Sequence, residues 1–188
     1  MLRRCRVPTS LVLLALGISC VRVTRTAPAT ASSAFASGNV AVHPMSVAPL
    51  VGDLADEQPS IAAVDLEGSA SNKSTRPSVT RNGGTVQANN GSGGFVAYRV
   101  VGTTPGGLYV LVVMVNGGGS GVFEDVLWVK LVREQVREDG KRRERTSLVK
   151  VGQMTLGNRD DGTVRLDGAR LSISKSRYRD HDMVIDLD

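Results

Sequence analysis

Three Asp-Gly pairs, at Asp139-Gly140, Asp161-Gly162 and Asp167-Gly168, divide the C-terminal part of this 188-residue chain into strand-sized intervals. Asp and Gly tolerate positive φ, which a two-residue hairpin turn needs if the flanking strands are to keep their right-handed twist. The runs between the breaks have strand character. Phe95 to Val101 is apolar and β-branched, and Leu108 to Val115 (LYVLVVMV) is a continuous apolar run, with Pro105-Gly106-Gly107 as a turn between them. Leu148 to Leu156, Thr163 to Leu166, Ala169 to Ser174 and Met183 to Leu187 follow. The expected fold is all-β: a small antiparallel sandwich or meander of six to eight strands over residues 94–188.

Residues 126–138 (VLWVKLVREQVRE) admit two readings. A helix would align Val122, Val126, Val129 and Val136, but Asp125 and Arg133 break that stripe and four valines are costly in a helix. A strand running into the Asp139-Gly140 turn instead sets Glu138 opposite Lys141, Glu134 opposite Arg145 and Leu131 opposite Leu148, so that opposite charges and apolar groups meet. The strand is the favoured reading. A helix here would make the loop Asn116 to Gly121 (NGGGSG) faintly similar to a nucleotide-binding turn. No GxGxxG or following Lys-Ser/Thr is present, however, and a glycine-rich hairpin loop accounts for these residues.

The first half has a different composition. Six of the seven aromatic residues (Phe95, Tyr98, Tyr109, Phe123, Trp128 and Tyr178) follow residue 94, whereas most prolines precede it among Ala, Ser, Thr and Gly. Such a stretch offers little apolar surface to offset the entropy of ordering it, so 21–93 reads as a low-complexity, largely disordered linker. Within it, Ser60 to Leu66 reads as an added strand or a turn of helix. Asn72-Lys73-Ser74 and Asn90-Gly91-Ser92 match the glycosylation triplet, which matters only in a eukaryotic secretory route.

Residues 1–20 read as a targeting segment. Arg3, Arg4 and Arg6 precede an apolar stretch, Leu11 to Ile18, too short for a spanning helix of about 20 residues. Gly17-Ile18-Ser19-Cys20 resembles the bacterial lipoprotein signal, in which the cysteine becomes the acylated first residue; Gly17 stands where that signal usually has Leu. The resemblance implies lipidation at Cys20 and a lipid-anchored envelope location. Ordinary secretion, with cleavage after Ala29-Thr30-Ala31 or Ala34-Phe35-Ala36, is the alternative, and an uncleaved or cytoplasmic chain is the remaining one. Either processing route leaves no cysteine pair for an internal disulfide and no thiolate zinc site, and no cofactor is implied.

Charge narrows the choice of partner. Fourteen basic and seven acidic residues fall within 130–179, and the chain then ends on Asp180, Asp182, Asp186 and Asp188. The basic run Arg137, Lys141, Arg142, Arg143 and Arg145 around Asp139-Gly140 is the expected polyanion-binding feature, suited to an anionic polysaccharide or lipid surface. It also suits a solvated hairpin tip that keeps sheet edges soluble. Nucleic acid is not expected, since no aromatics interleave the run for base stacking. Catalytic motifs are thin: His43 lies in the linker, His181 sits between two aspartates, and no GxSxG elbow occurs. The expectation is therefore an exported accessory module that binds or has a structural role and is not an enzyme. A small secreted enzyme or metal-dependent domain using Asp180, His181, Asp182 and Asp186 is the alternative. Asn158 to Gly162 has the oxygen-rich residues of a calcium turn, without EF-hand spacing.

Overall fold

The computed structural model describes residues 35–37, 40–52, 60–68 and 78–188. Its elements in chain order are β1 (Ala36–Ser37), β2 (Val40–Ala41), α1 (Pro44–Val51), β3 (Ala63–Asp65), β4 (Val79–Asn82), β5 (Thr85–Asn89), β6 (Phe95–Thr103), β7 (Tyr109–Asn116), β8 (Phe123–Glu138), β9 (Lys141–Asn158), β10 (Val164–Asp167), β11 (Arg170–Ile173) and β12 (Met183–Asp186). A seven-stranded antiparallel sheet has the order β3-β9-β8-β7-β6-β5-β4, and β10-β11-β12 form a second, smaller sheet. The fold is all-β, as expected.

Both faces of the large sheet are covered, which explains why β7 is apolar throughout instead of alternating. On one face Val110, Val112 and Val126 pack with Leu156 against Val164, Leu171, Ile173 and Leu187, closing the sandwich under the small sheet. On the other, Tyr98, Leu111, Val113, Leu127, Val129 and Leu148 pack against Phe35, Val42, Val47, Leu50 and Val51. Successive residues of β7 thus serve opposite cores. Gly152 is required beneath Trp128, because a Cβ there would lie 2.3 Å from the indole ring.

Residues 126–138 are strand, and the expected register holds: Glu138 pairs with Lys141, Glu134 with Arg145 and Leu131 with Leu148. Asp139 (φ 49°) and Gly140 (φ 76°) form the turn between them. The other two Asp-Gly pairs differ from expectation. Asp167 pairs directly with Arg170, so the turn residues are Gly168 and Ala169. Asp161-Gly162 joins β9 to β10, strands of different sheets, and is no hairpin turn.

The fold also reaches back well before Gly94. Asn82-Gly83-Gly84-Thr85 closes a β4-β5 hairpin on two positive-φ glycines, and Val86 and Ala88 are buried. Ser60 to Leu66 supplies β3, paired with β9. Helix α1 is capped by His43, whose Nδ1 accepts from the Met45 N–H at 3.1 Å, with Pro44 in its first turn and Gly52 at its C-cap. These described segments are therefore built into the core, contrary to a linker reading. Phe35, the segment's own aromatic residue, meets Tyr98 of the sheet edge-on at 5.4 Å, and the Tyr98 hydroxyl donates to the Val42 carbonyl at 2.6 Å.

Candidate functional site: the basic face of a projecting ribbon

β7 pairs with β8 only as far as Val129, and β3 pairs with β9 only from Ser147 onward. Lys130–Glu138 and Lys141–Thr146 therefore project from the sheet as a two-stranded ribbon, about 25 Å long at the usual strand rise. The Asp139-Gly140 turn fixes this ribbon's register, and the register sorts its charges by face.

On one face lie Lys130, Glu134 and Glu138 with Lys141, Arg143 and Arg145. Arg145 donates to Glu134, with its Nε 3.0 Å from Oε1. Arg143 pairs with Glu138 and reaches Asp65 at 3.4 Å. Glu138 thus faces Lys141 in register but gives its carboxylate to Arg143. Burial alone would raise the Asp65 carboxyl, but N–H donation from Gly68 and Glu67, with Arg143 and Arg145 nearby, holds it below its ordinary value. The hydrogen bond and charge of Glu134 raise Arg145 above its own. Both arginines of this face are thus engaged by carboxylates, while Lys130 and Lys141 make no ion pair among the described residues.

The opposite face carries Arg133, Arg137 and Arg142, with Gln135 opposite Glu144. All three arginines are exposed, and none makes an ion pair among the described residues. Arg137 stands directly across from Arg142, a like-charge pair that a hairpin selected for stability alone would avoid. Five expected polyanion-binding residues, Arg137, Lys141, Arg142, Arg143 and Arg145, are thereby brought to one ribbon but divided between its faces. Arg133 was missed. Its signal was present in the register, since alternation from Arg137 returns to the same face at Arg133.

Other expected chemistry sits elsewhere. Asp160 accepts from the Gly162 N–H at 2.8 Å, from Ser176 Oγ at 2.7 Å and from Arg179, whereas Asp161 faces Arg177. Burial would raise the Asp160 carboxyl, but Ser176, Gly162 and Arg179 hold it below the ordinary carboxylate value. These carboxylates are committed to cations and N–H donors of the 174–179 segment, which makes a calcium turn of Asn158 to Gly162 a poor fit. Asp180, His181 and Asp182 are exposed, Asp182 caps the Lys175 N–H at 2.7 Å, and Asp186 faces Arg170. Among the described residues no three His, Cys, Asp or Glu side chains gather as a metal site.

The Gly-rich loop after β7 is closed by Asn116, whose Nδ2 donates to Gly119 and Gly121 and whose Oδ1 accepts from Gly118 at 2.7 Å. Asn90 orders the neighbouring loop by accepting from Gly94 and Ser92, so its amide is engaged in structure. Residues 1–34, with Cys5, Cys20 and the whole of the expected targeting segment, and Asn72-Lys73-Ser74 lie outside the described residues. No described helix is long and apolar enough to cross a membrane. No protein-family model matches the chain, and neither does any curated protein or solved structure.

Proposed function

We propose that this chain is an exported cell-envelope module that binds a polyanionic surface, anionic lipid or anionic polysaccharide, through the ribbon face that carries its unpaired arginines. It acts by adhesion and not by catalysis. The observation that carries this reading is the asymmetry of the ribbon: Arg143 and Arg145 are engaged by carboxylates on one face, while Arg133, Arg137 and Arg142 stand exposed and without ion pairs among the described residues on the other.

The placement of the N-terminal side adds support. Phe35 packs in the same core as Leu148 and Leu131, and Leu131 shares its ribbon face with Arg133 and Arg137. The first described residue, Phe35, thus lies on the side of the sheet that presents the arginines. Of the processing sites considered, cleavage after Ala36 would strip Phe35 from the core, whereas acylation at Cys20 or cleavage after Ala31 keeps it.

Retention on an anionic polysaccharide matrix and co-sedimentation with anionic vesicles, with neutral vesicles as the control, test the reading. Binding is expected to fall as the screening length shrinks from about 10 to about 3 Å. Replacing Arg133, Arg137 and Arg142 together by Ser should abolish it, while Arg143→Ser with Arg145→Ser should leave most of it. Binding that ignores salt, or that survives the triple replacement, overturns the proposal.

A further inference from the structure

The same ribbon carries an open sheet edge. Leu66 N–H donates to the Thr146 carbonyl at 2.9 Å and Lys150 N–H to the Ala62 carbonyl at 2.8 Å, so alternate residues of β9 from Thr146 to Lys150 turn their backbone groups toward β3. Their partners on β8, Arg133 opposite Thr146 and Leu131 opposite Leu148, must then turn theirs away from β9. Continuing the alternation, Leu131, Arg133, Gln135 and Arg137 direct N–H and C=O groups into an edge with no neighbouring strand beyond Val129 among the described residues.

We infer that this edge pairs antiparallel with the same edge of a second copy of the chain, making a two-fold dimer centred on Glu134. Charge complementarity selects the occupant and the register. In the centred register Lys130 faces Glu138 of the second copy, Val132 faces its Val136, and Arg133 faces its Gln135. Sliding by one two-residue step either way sets Arg133 against Arg133, or Arg133 against Arg137, of the second copy. Like charges directly opposite are destabilising, so of these three registers only the centred one avoids an arginine clash. Glu134 meets Glu134, but each already accepts from Arg145 of its own chain. The outward pairs Leu131 with Arg137 and Arg133 with Gln135 each exchange two backbone hydrogen bonds across the seam.

A two-fold axis perpendicular to the sheet keeps faces together, so both copies present Arg133, Arg137 and Arg142 on one side. The inference stands on the backbone edge and does not depend on polyanion binding: one is read as mass, the other as salt-dependent retention.

Sedimentation equilibrium of the full chain in the tens of micromolar should give a dimer. Lys130→Glu alone should raise the dissociation constant about tenfold, and adding Glu138→Lys should restore it, because the swapped charges again face each other. In a background with Cys5 and Cys20 replaced by Ser, Glu134→Cys sits on the two-fold and should cross-link to dimer on mild oxidation, whereas Glu138→Cys alone should not. A monomer throughout that range overturns the inference, as does charge reversal without effect or equal cross-linking at both cysteine positions.

Discussion

Val126 to Val129 and Val132 to Glu138 lie on one continuous strand, yet they live in different surroundings. In the first stretch side chains pointing either way meet a covering layer: Val126 goes under the small sheet, and Leu127 goes under α1 and Phe35. In the second no layer among the described residues covers either face, and four of the seven positions are charged. Strand pairing alone therefore does not decide whether a β segment is core or surface. The covering layers decide it, and they come from residues far along the chain, 35–51 on one side and 164–187 on the other.

The contrast should be largest in stability. Leu127 is fully buried, and Leu127→Ala should cost about 2–5 kcal/mol through lost burial and the cavity it leaves. Leu131, four residues on and only partly buried at the root of the ribbon, should cost clearly less on the same replacement. Urea denaturation of both variants checks this, and equal losses would mean that the ribbon is as packed as the body.

A smaller effect sharpens the comparison through pH. Glu124, half-buried beneath the smaller sheet's side of the fold, is raised above its ordinary value by burial and by repulsion from Asp160, with Arg99 opposing. An acid whose folded value is raised penalises the folded state at neutral pH, and the penalty is relieved as pH falls through the folded value. Glu124→Gln should therefore raise the melting midpoint at pH 7, and the gain should vanish below about pH 4. Asp160 has the opposite sign: its stabilisation is present above the unfolded value and is lost as pH falls through its lowered folded one. Thermal melts across pH separate these two contributions.

The sequence made the hairpin readable because its information is local. A two-residue turn at Asp139-Gly140 admits one register, and that register alone brings Glu134 to Arg145 and Leu131 to Leu148. Where the deciding partner is remote, reading failed. Val47, Leu50 and Val51 have helical spacing between Pro44 and Gly52, but their anchors are Phe35, Tyr98 and Leu148, and no local pattern announces them. Asn82-Gly83-Gly84 was a visible hairpin signal in a stretch judged by its scarcity of aromatics. Asp161-Gly162 looked like its two siblings, and only the tie from Asp160 to Arg179 and Ser176 shows that it bridges two sheets. The division of the ribbon's arginines into paired and unpaired sets likewise depends on where Glu138 and Asp65 send their carboxylates.

Residue-resolved amide hydrogen exchange on the full chain, at a concentration low enough to keep it monomeric, tests the two-environment account most directly. Exchange reports local opening, so amides of β7 and of Val126 to Val129 should be protected near the level of global unfolding. The Leu66 and Gly52 amides, hydrogen-bonded to Thr146 and Ala48, should be protected well above the ribbon tip. Beyond Lys130 protection should fall steeply toward Asp139, with Arg133, Gln135 and Arg137 exchanging faster than Val132, Glu134 and Val136. Uniform protection along Phe123–Glu138, or free exchange at Leu66 and Gly52, would contradict the division of this strand into a covered body and an exposed ribbon.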